Sequence, residues 1–324
     1  MLLISKKYAL AQRIPEDYGY RHLIYSYQND KVDLIVISKK GEEKIAKPLF
    51  FFCQGSLPRP VIIYDEKGLF GTLPFSETPF LEQFHIVVVA KPNVPVISKA
   101  KLLDENFCFM KDSISKLPPK GYSDRNYLDY YVFRNNFIIK QLFKERWIKS
   151  TDLVVAGHSE GSTIAAKMAS KNKKITKLIY SGGNPYGRIS TVHYQNKIQD
   201  NDTIQFGEST LNYWKKVVEN PNNVNSDGGD TFKATYSFSQ PQKDNLMALN
   251  IPILITYGSK DIAGIFIDLL QIDCIRERKN NIKFKSYHGL EHNFFYTDSK
   301  SVTHFENENW NKVAQNWLEF LNGT

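Results

Sequence analysis

Short runs of apolar residues, many of them β-branched or aromatic, recur along this chain between polar and turn-forming residues. Runs of this length are typical of strands that are buried on both faces, because a buried helix requires a longer pattern. They predict buried strands over residues 49–53, 86–90, 153–156, 177–181 and 253–257. Residues 282–287 alternate instead, with Lys283 and Lys285 on one face, and predict a strand with one face in water.

Longer segments carry apolar residues near helical spacing. Residues 127–147 show this spacing before the 153–156 strand, and residues 262–278 show it after the 253–257 strand. At the end of the chain, residues 309–321 form a helix pattern whose apolar stripe consists of Trp310, Val313, Trp317 and Leu321.

The first two strands form a pattern of their own. Residues 22–27 and 31–37 predict an antiparallel hairpin with Gln28-Asn29-Asp30 as its turn. Beyond this hairpin, strands alternate with helices, which is typical of α/β proteins. The sequence therefore predicts an α/β fold, with a mostly parallel central sheet flanked by helices.

One predicted strand runs directly into the motif Gly157-His158-Ser159-Glu160-Gly161, and a helix rich in small residues follows at once. Only a very tight strand–turn–helix fits this spacing, with Ser159 at its apex and with no room for side chains at Gly157 and Gly161. A base can reach and activate a serine hydroxyl held in such a turn. The first N–H groups of the following helix can stabilise an oxyanion. The motif therefore predicts that Ser159 is a catalytic nucleophile.

Such a nucleophile requires an acid later in the chain. Asp261 follows the 253–257 strand after the turn Gly258-Ser259-Lys260. A carboxylate at this end of a parallel strand points into the crevice that holds the sites of α/β folds. The alternative is that Asp261 only caps the next helix. The preceding strand ends in Gly182-Gly183-Asn184, without a carboxylate, and this favours Asp261 as the acid.

A histidine must follow the acid to serve as the base. His292 lies on the loop beyond the 282–287 strand, past a turn at Gly289, and it is the best candidate. His288 is closer to the end of the strand and is expected to be a structural or rim residue. His304, farther along the chain, is the remaining alternative.

A second oxyanion donor is expected at the end of an earlier strand. Gln54-Gly55-Ser56 follows the 49–53 strand, and Gly55 is expected to permit an unusual backbone there. The backbone N–H groups of Ser56 and Glu160 would then form the oxyanion hole. The alternative is an ordinary strand-to-loop turn. Gln54 and His158 flank these donors and are candidate substrate contacts.

Taken in order, these motifs resemble those of the α/β-hydrolase superfamily, over about residues 20–321. The Gly-His-Ser-Glu-Gly form is similar to that of the serine esterase and prolyl-oligopeptidase-related branches. The chain departs from the commonest oxyanion signature of the family, since Gln54 stands where that signature has histidine. The resemblance implies the α/β-hydrolase fold, a Ser-Asp-His catalytic triad and a cap inserted over the site.

Residues 184–248 separate two predicted strands and do not fit the sheet. In this superfamily such an insertion is usually a cap, which implies a core of residues 1–183 and 249–324 and a cap of residues 184–248. Its many aromatic residues predict an apolar lid over a cleft, with Tyr213 and Trp214 as candidate substrate contacts. The alternative is that these aromatic residues only anchor the insertion to the sheet domain. The segment 91–126, which follows a predicted strand, would then be the next candidate to determine substrate specificity.

The charge and the cysteines exclude several functions. Lys and Arg total 42 against 34 Asp and Glu, a net charge of +8, but the lysines are scattered rather than clustered with arginine and aromatics, which argues against nucleic-acid binding.

Cys53, Cys108 and Cys274 lack the spacing of metal ligands and are expected to be reduced core thiols. The stretch 220–230 is expected to be a solvated turn, since its spacing is not that of an EF-hand loop. We expect neither a metal nor a cofactor.

No apolar run is long enough to span a bilayer. The first residues, MLLISKKYALAQR, lack the pattern of a signal peptide. The sequence as it stands predicts a cytoplasmic protein, or a secreted or periplasmic one if a leader has been removed. It leaves the oligomeric state open.

The sequence therefore predicts a serine hydrolase that cleaves a carboxylic ester through an acyl-enzyme intermediate. Ser159 would attack, His292 would transfer the proton and Asp261 would orient the histidine. A small-molecule ester is the first substrate class, and an amide or short peptide is the second. The alternative from another class is a catalytically silent binding protein of the same fold.

Overall fold

The computed structural model describes residues 13–71, 73–111, 114, 116–225 and 229–323. The strands are β1 (Arg21–Tyr27), β2 (Asp30–Ile37), β3 (Lys47–Cys53), β4 (Ile62–Tyr64), β5 (Leu69–Gly71), β6 (His85–Val89), β7 (Ile97–Lys99), β8 (Ile148–His158), β9 (Lys177–Ser181), β10 (Ile253–Gly258), β11 (Ile282–Tyr287), β12 (Phe295–Thr297) and β13 (Thr303–Glu308). The α-helices are α1 (Thr78–Leu81), α2 (Lys120–Arg125), α3 (Leu128–Leu142), α4 (Glu160–Lys171), α5 (Arg188–Lys197), α6 (Phe206–Glu219), α7 (Phe232–Phe238), α8 (Lys243–Ala248), α9 (Gly264–Arg276) and α10 (Trp310–Asn322). Short 3₁₀ turns lie at Pro15–Tyr18 and Ala100–Leu102.

Eight strands form the central sheet, in the order β1-β2-β6-β3-β8-β9-β10-β11. Only the pairings of β2 with β1 and with β6 are antiparallel, and the other neighbours run parallel. Strands β4, β5 and β7 form a small sheet, and β12 pairs with β13. The predicted mostly parallel sheet is therefore confirmed.

The two faces of the central sheet have separate hydrophobic cores. Along β3, Leu49 and Phe51 belong to one core while Phe50 and Phe52 belong to the other. Residues of β8 alternate between the two cores in the same way. Strands buried on both faces must be apolar at every position, which explains the continuous runs in the sequence.

The N-terminal hairpin forms as predicted, but its turn is shorter. Tyr27 pairs directly with Asp30, so only Gln28 and Asn29 make the turn. Their φ angles are 51° and 65°, and two positive φ angles in succession match the right-handed twist of the flanking strands. Asp30 therefore belongs to β2 rather than to the turn.

Several predicted elements differ in length from the observed ones. Helix α3 ends at Leu142, five residues short of the predicted boundary at 147, and β8 already begins at Ile148. The strand is longer than its apolar core because Lys47 of β3 pairs with Ile148. Pairing with a neighbour extended this strand through polar residues whose local pattern does not indicate a strand.

The insertion at residues 184–248 folds into the four helices α5 to α8 between β9 and β10. The stretch 91–126 contains β7 and the short α2. The division into core and cap remains a prediction. In the part of the chain that the structure describes, every helix is too short or too polar to cross a bilayer.

Helix α10 presents its predicted apolar stripe to the sheet, and Trp310, Val313, Trp317 and Leu321 are all buried. The Trp317 indole N–H donates a hydrogen bond to Thr256 Oγ1 of β10 at 3.3 Å. The Trp317 ring also packs against that of Phe75, with 5.4 Å between centroids. This tryptophan therefore fixes α10 against the sheet.

We expect Trp317→Ala to lower the free energy of unfolding by about 3–5 kcal/mol, because it removes a fully buried ring and leaves a cavity. Urea denaturation followed by circular dichroism measures the change. Phe305→Ala is the control, since Phe305 is 72% exposed, and should change the same quantity by about 0.5 kcal/mol or less. Equal effects in the two variants would contradict this account of α10.

Candidate active site

Ser159 occupies the turn between β8 and α4, with φ 57° and ψ −127°. A non-glycine residue rarely adopts this backbone, which is typical of strained turns at functional sites. A Cβ on Gly157 would overlap the carbonyl group of Gly161, and a Cβ on Gly161 would overlap that of Cys53 in β3. The predicted collision at both glycines is confirmed, and it explains why the motif allows only glycine at these two positions.

The side chains of Ser159, His292 and Asp261 form a chain of hydrogen bonds. Ser159 Oγ lies 2.9 Å from His292 Nε2, and His292 Nδ1 lies 2.8 Å from Asp261 Oδ2. The other carboxylate oxygen of Asp261, Oδ1, accepts a hydrogen bond from the Ala263 N–H at 2.9 Å. This bond holds the buried carboxylate in place at the start of the segment that leads into α9.

The sheet brings these distant residues together. Ser159 follows β8, Asp261 follows β10 and His292 follows β11, and all three strands run parallel within the last four positions of the sheet. The carboxyl ends of parallel strands meet at one edge, where α/β folds hold their sites. The sheet therefore brings the three predicted side chains together at one edge, and their catalytic roles remain a prediction.

Asp261 controls the charge state of His292. Burial lowers the pKa of this imidazole, but the hydrogen bond and the charge of Asp261 raise it, and Glu291 adds to the rise, so the net shift is upward from the ordinary value. Asp261 also accepts a hydrogen bond from Nδ1–H, so the neutral ring has a free Nε2 lone pair toward Ser159. This arrangement suits His292 to accept a proton from the serine hydroxyl.

His158 is buried beneath the His292 ring and does not line the cavity in front of Ser159. Its ring centroid is 4.9 Å from that of His292 and 4.7 Å from that of Trp310, and its Nδ1 lies 3.0 Å from Ser181 Oγ. Burial, and then the neighbouring His292, hold the pKa of His158 well below the ordinary range. The structure therefore places His158 as a neutral support for the His292 ring, not among the residues that line the cavity.

Gly182 lies close to His158 and His292, a position that its sequence pattern did not predict. Its φ is 57°, and a Cβ there would lie 2.6 Å from Cε1 of His158 and 3.4 Å from Cε1 of His292. A side chain at this position would displace the His158 ring. The Gly182-Gly183 pair after a strand was the available signal, since consecutive glycines often mark a close approach.

A cavity of about 420 Å³ opens in front of Ser159. Both Ser56 and Glu160, the predicted oxyanion pair, line it together with Ser159 and His292. The Ser56 carbonyl group accepts a hydrogen bond from the Tyr122 hydroxyl group at 2.7 Å, which fixes this loop. The expected unusual backbone at Gly55 is absent, because Gly55 has no positive φ and a Cβ there would have room.

Gln54 is buried and does not line this cavity. It faces a separate void of about 10 Å³ that Lys91 and Arg134 also line, roughly the space of one water molecule. Neither its amide nitrogen nor its amide oxygen has a hydrogen-bond partner among the described residues. The expected substrate contact of Gln54 thus has no support in the geometry.

Tyr213 and Trp214 also lie away from the cavity. Both are on α6, where the Tyr213 hydroxyl group lies 3.3 Å from Thr235 Oγ1 and the Trp214 ring stacks on Tyr236 with 5.9 Å between centroids. These contacts join α6 to α7. The structure therefore supports the alternative stated above, in which these aromatic residues anchor the insertion.

Helix α5 supplies most of the residues that the insertion contributes to the cavity wall, beside Asn184 and Phe238, and the sequence pattern did not indicate this wall. Its cavity-lining residues are Arg188, Thr191, Val192 and Gln195. They are spaced i, i+3, i+4 and i+7 and so share one face of the helix. This spacing was visible, but the mixed polarity of the four residues gave no apolar stripe to detect.

A chain of ion pairs joins this wall to the turn at Ser159, in which Lys91 and Glu160 are buried and Arg188 and Asp230 are partly exposed. Glu160 Oε1 lies 3.5 Å from Lys91 Nζ, and Glu160 Oε2 lies 3.3 Å from Arg188 Nη1. Arg188 Nη1 also lies 2.8 Å from Asp230 Oδ2. Burial raises the pKa of the Glu160 carboxyl while Lys91 and Arg188 oppose this rise, and burial lowers the pKa of the Lys91 ammonium. Only the backbone N–H of Glu160 was given a role from the sequence, because the ion-pair partners of its side chain, Lys91 and Arg188, are remote in the chain.

The alternative bases have other surroundings. His288 is exposed and lines a second cavity of about 470 Å³ with residues such as Lys285 and Lys312. His304 lies on β13, with its ring nitrogens 3.4 Å from Asp298 Oδ2 and 3.2 Å from Glu306 Oε1. Neither is hydrogen-bonded to Ser159, so the geometry favours His292.

The stretch 220–230 includes residues 226–228, which lie outside the described residues. Among the residues that are described, no three His, Cys, Asp or Glu side chains are grouped to hold a metal ion. The expectation that the protein needs no metal or cofactor remains a prediction.

Comparison with known proteins gives matches at the level of structure only. No family model and no curated protein sequence matches the chain. It is similar to Est1E from Butyrivibrio proteoclasticus, with a TM-score of 0.54 and 13% identity over 93% of this chain and 98% of that one. It is also similar to the α/β-hydrolase GrgF from Penicillium sp. sh18, with a TM-score of 0.56 and 10% identity over 93% and 97% of the two chains.

A third similar structure is the Pyrococcus horikoshii acylaminoacyl peptidase, with a TM-score of 0.54 and 14% identity over 94% of this chain but only 41% of that one. These likenesses extend over nearly the whole of the chain. From the parallel sheet, the turn at Ser159 and these comparisons, we conclude that this protein has the α/β-hydrolase fold.

Proposed function

We propose that this protein is a serine hydrolase that cleaves a carboxylic ester through an acyl-enzyme intermediate. The observation that supports this most is the hydrogen-bonded chain from Ser159 through His292 to Asp261, which opens onto a cavity. A nucleophile within reach of a base, and a base oriented by a third group, are the requirements of this chemistry.

In the acylation step, Ser159 Oγ attacks the carbonyl carbon of the substrate while its proton passes to His292 Nε2. The imidazolium that forms is stabilised by Asp261, which accepts the Nδ1 hydrogen bond. The tetrahedral intermediate collapses when the bond to the leaving oxygen breaks and His292 donates its proton to that oxygen. An alcohol leaves and the acyl group remains on Ser159.

The negative charge on the intermediate needs donors that are already in position. The backbone N–H groups of Ser56 and Glu160 are our candidates, since both residues line the cavity beside Ser159. Glu160 begins α4, so its N–H belongs to the positive end of the helix dipole. The carboxylate of the same residue is turned toward Lys91 and Arg188.

Water then takes the place of the alcohol in the deacylation step. His292 removes a proton from the water, whose oxygen attacks the acyl carbon, and the proton is returned to Ser159 as the carboxylic acid leaves. These steps regenerate the enzyme. Each role requires His292 to alternate between its two protonation states, and the pairing with Asp261 that raises its pKa stabilises the protonated one.

We place an ester first and an amide second. Est1E has been solved with ferulic acid bound, and a structure of esterases from Rhizomucor miehei is similar to this chain, with a TM-score of 0.54 and 14% identity. The similarity to an acylaminoacyl peptidase is the observation that favours the second candidate. A panel of p-nitrophenyl esters and aminoacyl p-nitroanilides separates the two.

The first test is covalent labelling of the nucleophile. We expect a fluorophosphonate probe to label Ser159, with one adduct per chain located by peptide mass spectrometry, and Ser159→Ala to abolish both labelling and ester hydrolysis. Ser162→Ala is the matched control, because Ser162 is a buried serine in α4 that donates to the Ser159 carbonyl group. Labelling of Ser162 instead, or of neither serine, would exclude the proposed nucleophile.

The second test compares two histidines of one loop. His292→Ala should lower kcat by several orders of magnitude, since loss of the base in a comparable triad costs on the order of 10⁶. His288→Ala should change kcat by less than about threefold, because His288 is exposed and has no contact with Ser159. Both values come from steady-state kinetics with one p-nitrophenyl ester. A reversed order of the two effects would contradict the assignment of the base.

The third test is the pH dependence of kcat/KM. The base is active when neutral, so activity should rise with pH, and its midpoint should lie above the ordinary histidine value of about 6.5, because the pKa of His292 is raised. In Asp261→Asn the raising charge is lost while burial remains, so the midpoint should move to lower pH as kcat falls by about 10⁴. A flat profile between about pH 5 and 8 would exclude a histidine base.

A further inference from the structure

Arg188 is the first residue of α5, and its guanidinium group lines the cavity in front of Ser159. Nη1 is the guanidinium nitrogen nearest to both neighbouring acids: it lies 3.3 Å from Glu160 Oε2 and 2.8 Å from Asp230 Oδ2. Nε and Nη2 donate no hydrogen bond within the described residues. Neither atom is one of the buried side-chain atoms that lack a partner, and the Arg188 side chain is 26% exposed, so this edge remains accessible from the cavity.

The surrounding charges hold this group rigidly. Glu160 is buried between Arg188 and Lys91, with only 3% of its side chain exposed, and it adjoins the nucleophile in the chain. The Arg188 guanidinium carbon also lies 5.8 Å from the centroid of Phe238, which is another cavity residue. A guanidinium fixed on one edge presents its other edge in a defined direction, and this is the condition for selective hydrogen bonding.

The local charge decides what this free edge can bind. Two cations, Lys91 and Arg188, face two carboxylates, Glu160 and Asp230, so the network is balanced and does not demand a further anion. The free N–H groups of Arg188 still require acceptors, and guanidinium has no acceptor of its own. Oxygen of a carbonyl group or of a carboxylate matches the fork that Nε and Nη2 form.

We propose that Arg188 determines the specificity of the site by binding an oxygen acceptor, a carbonyl or carboxylate group, on the non-reacting part of the substrate. This inference rests on the proposed hydrolase function and names a substrate class for it. The neighbouring α5 residues Thr191, Val192 and Gln195 would contact the same part of the substrate, since they share the cavity-lining face with Arg188.

The experiment measures kcat/KM for matched esters with and without the extra oxygen. On the acyl side, p-nitrophenyl valerate is compared with p-nitrophenyl levulinate, which adds a ketone. On the leaving-group side, p-tolyl acetate is compared with p-acetylphenyl acetate and p-carboxyphenyl acetate. For each ester the value in a variant is divided by the wild-type value, which cancels the intrinsic reactivity of the substrate.

Arg188→Lys is the decisive variant. Lysine retains a cation for Glu160 and Asp230 but lacks the planar guanidinium fork. The buried Glu160 carboxylate therefore stays paired, while the N–H donors at Nε and Nη2 are lost. We expect at least one oxygen-bearing ester to lose about tenfold or more in kcat/KM, as for a lost charge-assisted hydrogen bond, and its matched plain ester to lose less than about threefold. If only the levulinate responds, the acceptor lies on the acyl group; if an aryl acetate responds, it lies on the leaving group. Comparison of p-acetylphenyl acetate with p-carboxyphenyl acetate then distinguishes a neutral carbonyl acceptor from a carboxylate.

Arg125→Lys is the matched control, because Arg125 pairs with Asp30 at 2.6 Å and does not line the cavity; it should leave every ratio near one. Equal losses for plain and oxygen-bearing esters in Arg188→Lys, or no loss at all, would overturn the proposal. Labelling of wild-type Ser159 by a fluorophosphonate keeps the two proposals apart. A labelled enzyme without selective loss refutes the role of Arg188 alone, whereas an unlabelled wild type that hydrolyses none of the esters refutes the hydrolase function and this inference with it.

Discussion

Helix α4 approaches strand β3 so closely at Gly161 that a side chain there would overlap the carbonyl group of Cys53. This contact sets the angle at which the chain leaves β8, and the Ser159 backbone takes up the strain with a positive φ of 57°. The turn cannot relax without separating the helix from the sheet. The hydroxyl of Ser159 is therefore held near His292 by packing between backbones, not by a side-chain bond that a single substitution would remove.

The same turn sends the next residue inward. Glu160 is buried beside Ser159, and its carboxylate meets Lys91 from the end of β6 and Arg188 from the insertion. Removing one partner from such a network leaves a buried charge without compensation, which is more costly than the pair is stabilising. The insertion is thus joined to the sheet at the residue that follows the proposed nucleophile, and the cavity-lining residues of α5 are positioned from there.

Two histidines in contact have opposite environments, and the difference defines their roles. The pKa of His292 is raised because the effect of Asp261 outweighs that of burial. The pKa of His158 is lowered because burial has no carboxylate to oppose it. Protonation is therefore favoured on the His292 ring and disfavoured on the His158 ring beneath it. Gly182 makes this stacking possible, since any side chain there would occupy the space of the His158 ring.

The eight strands of the central sheet, the order of the motifs and the three side chains that meet at the site could be predicted from the sequence, whereas β4, β5, β7, β12 and β13 were not. Strand periodicity and glycine spacing are local properties, and parallel strands bring their carboxyl ends to one edge whatever lies between them. The packing of α6 on α7 through Tyr213 and Trp214, and the position of the mixed-polarity face of α5 along the cavity, follow only from contacts between distant parts of the chain. A helical pattern records which residues share a face but not what that face meets. The ion pairs of Glu160 likewise depend on residues 69 and 28 positions away, and no local pattern specifies a contact over such distances.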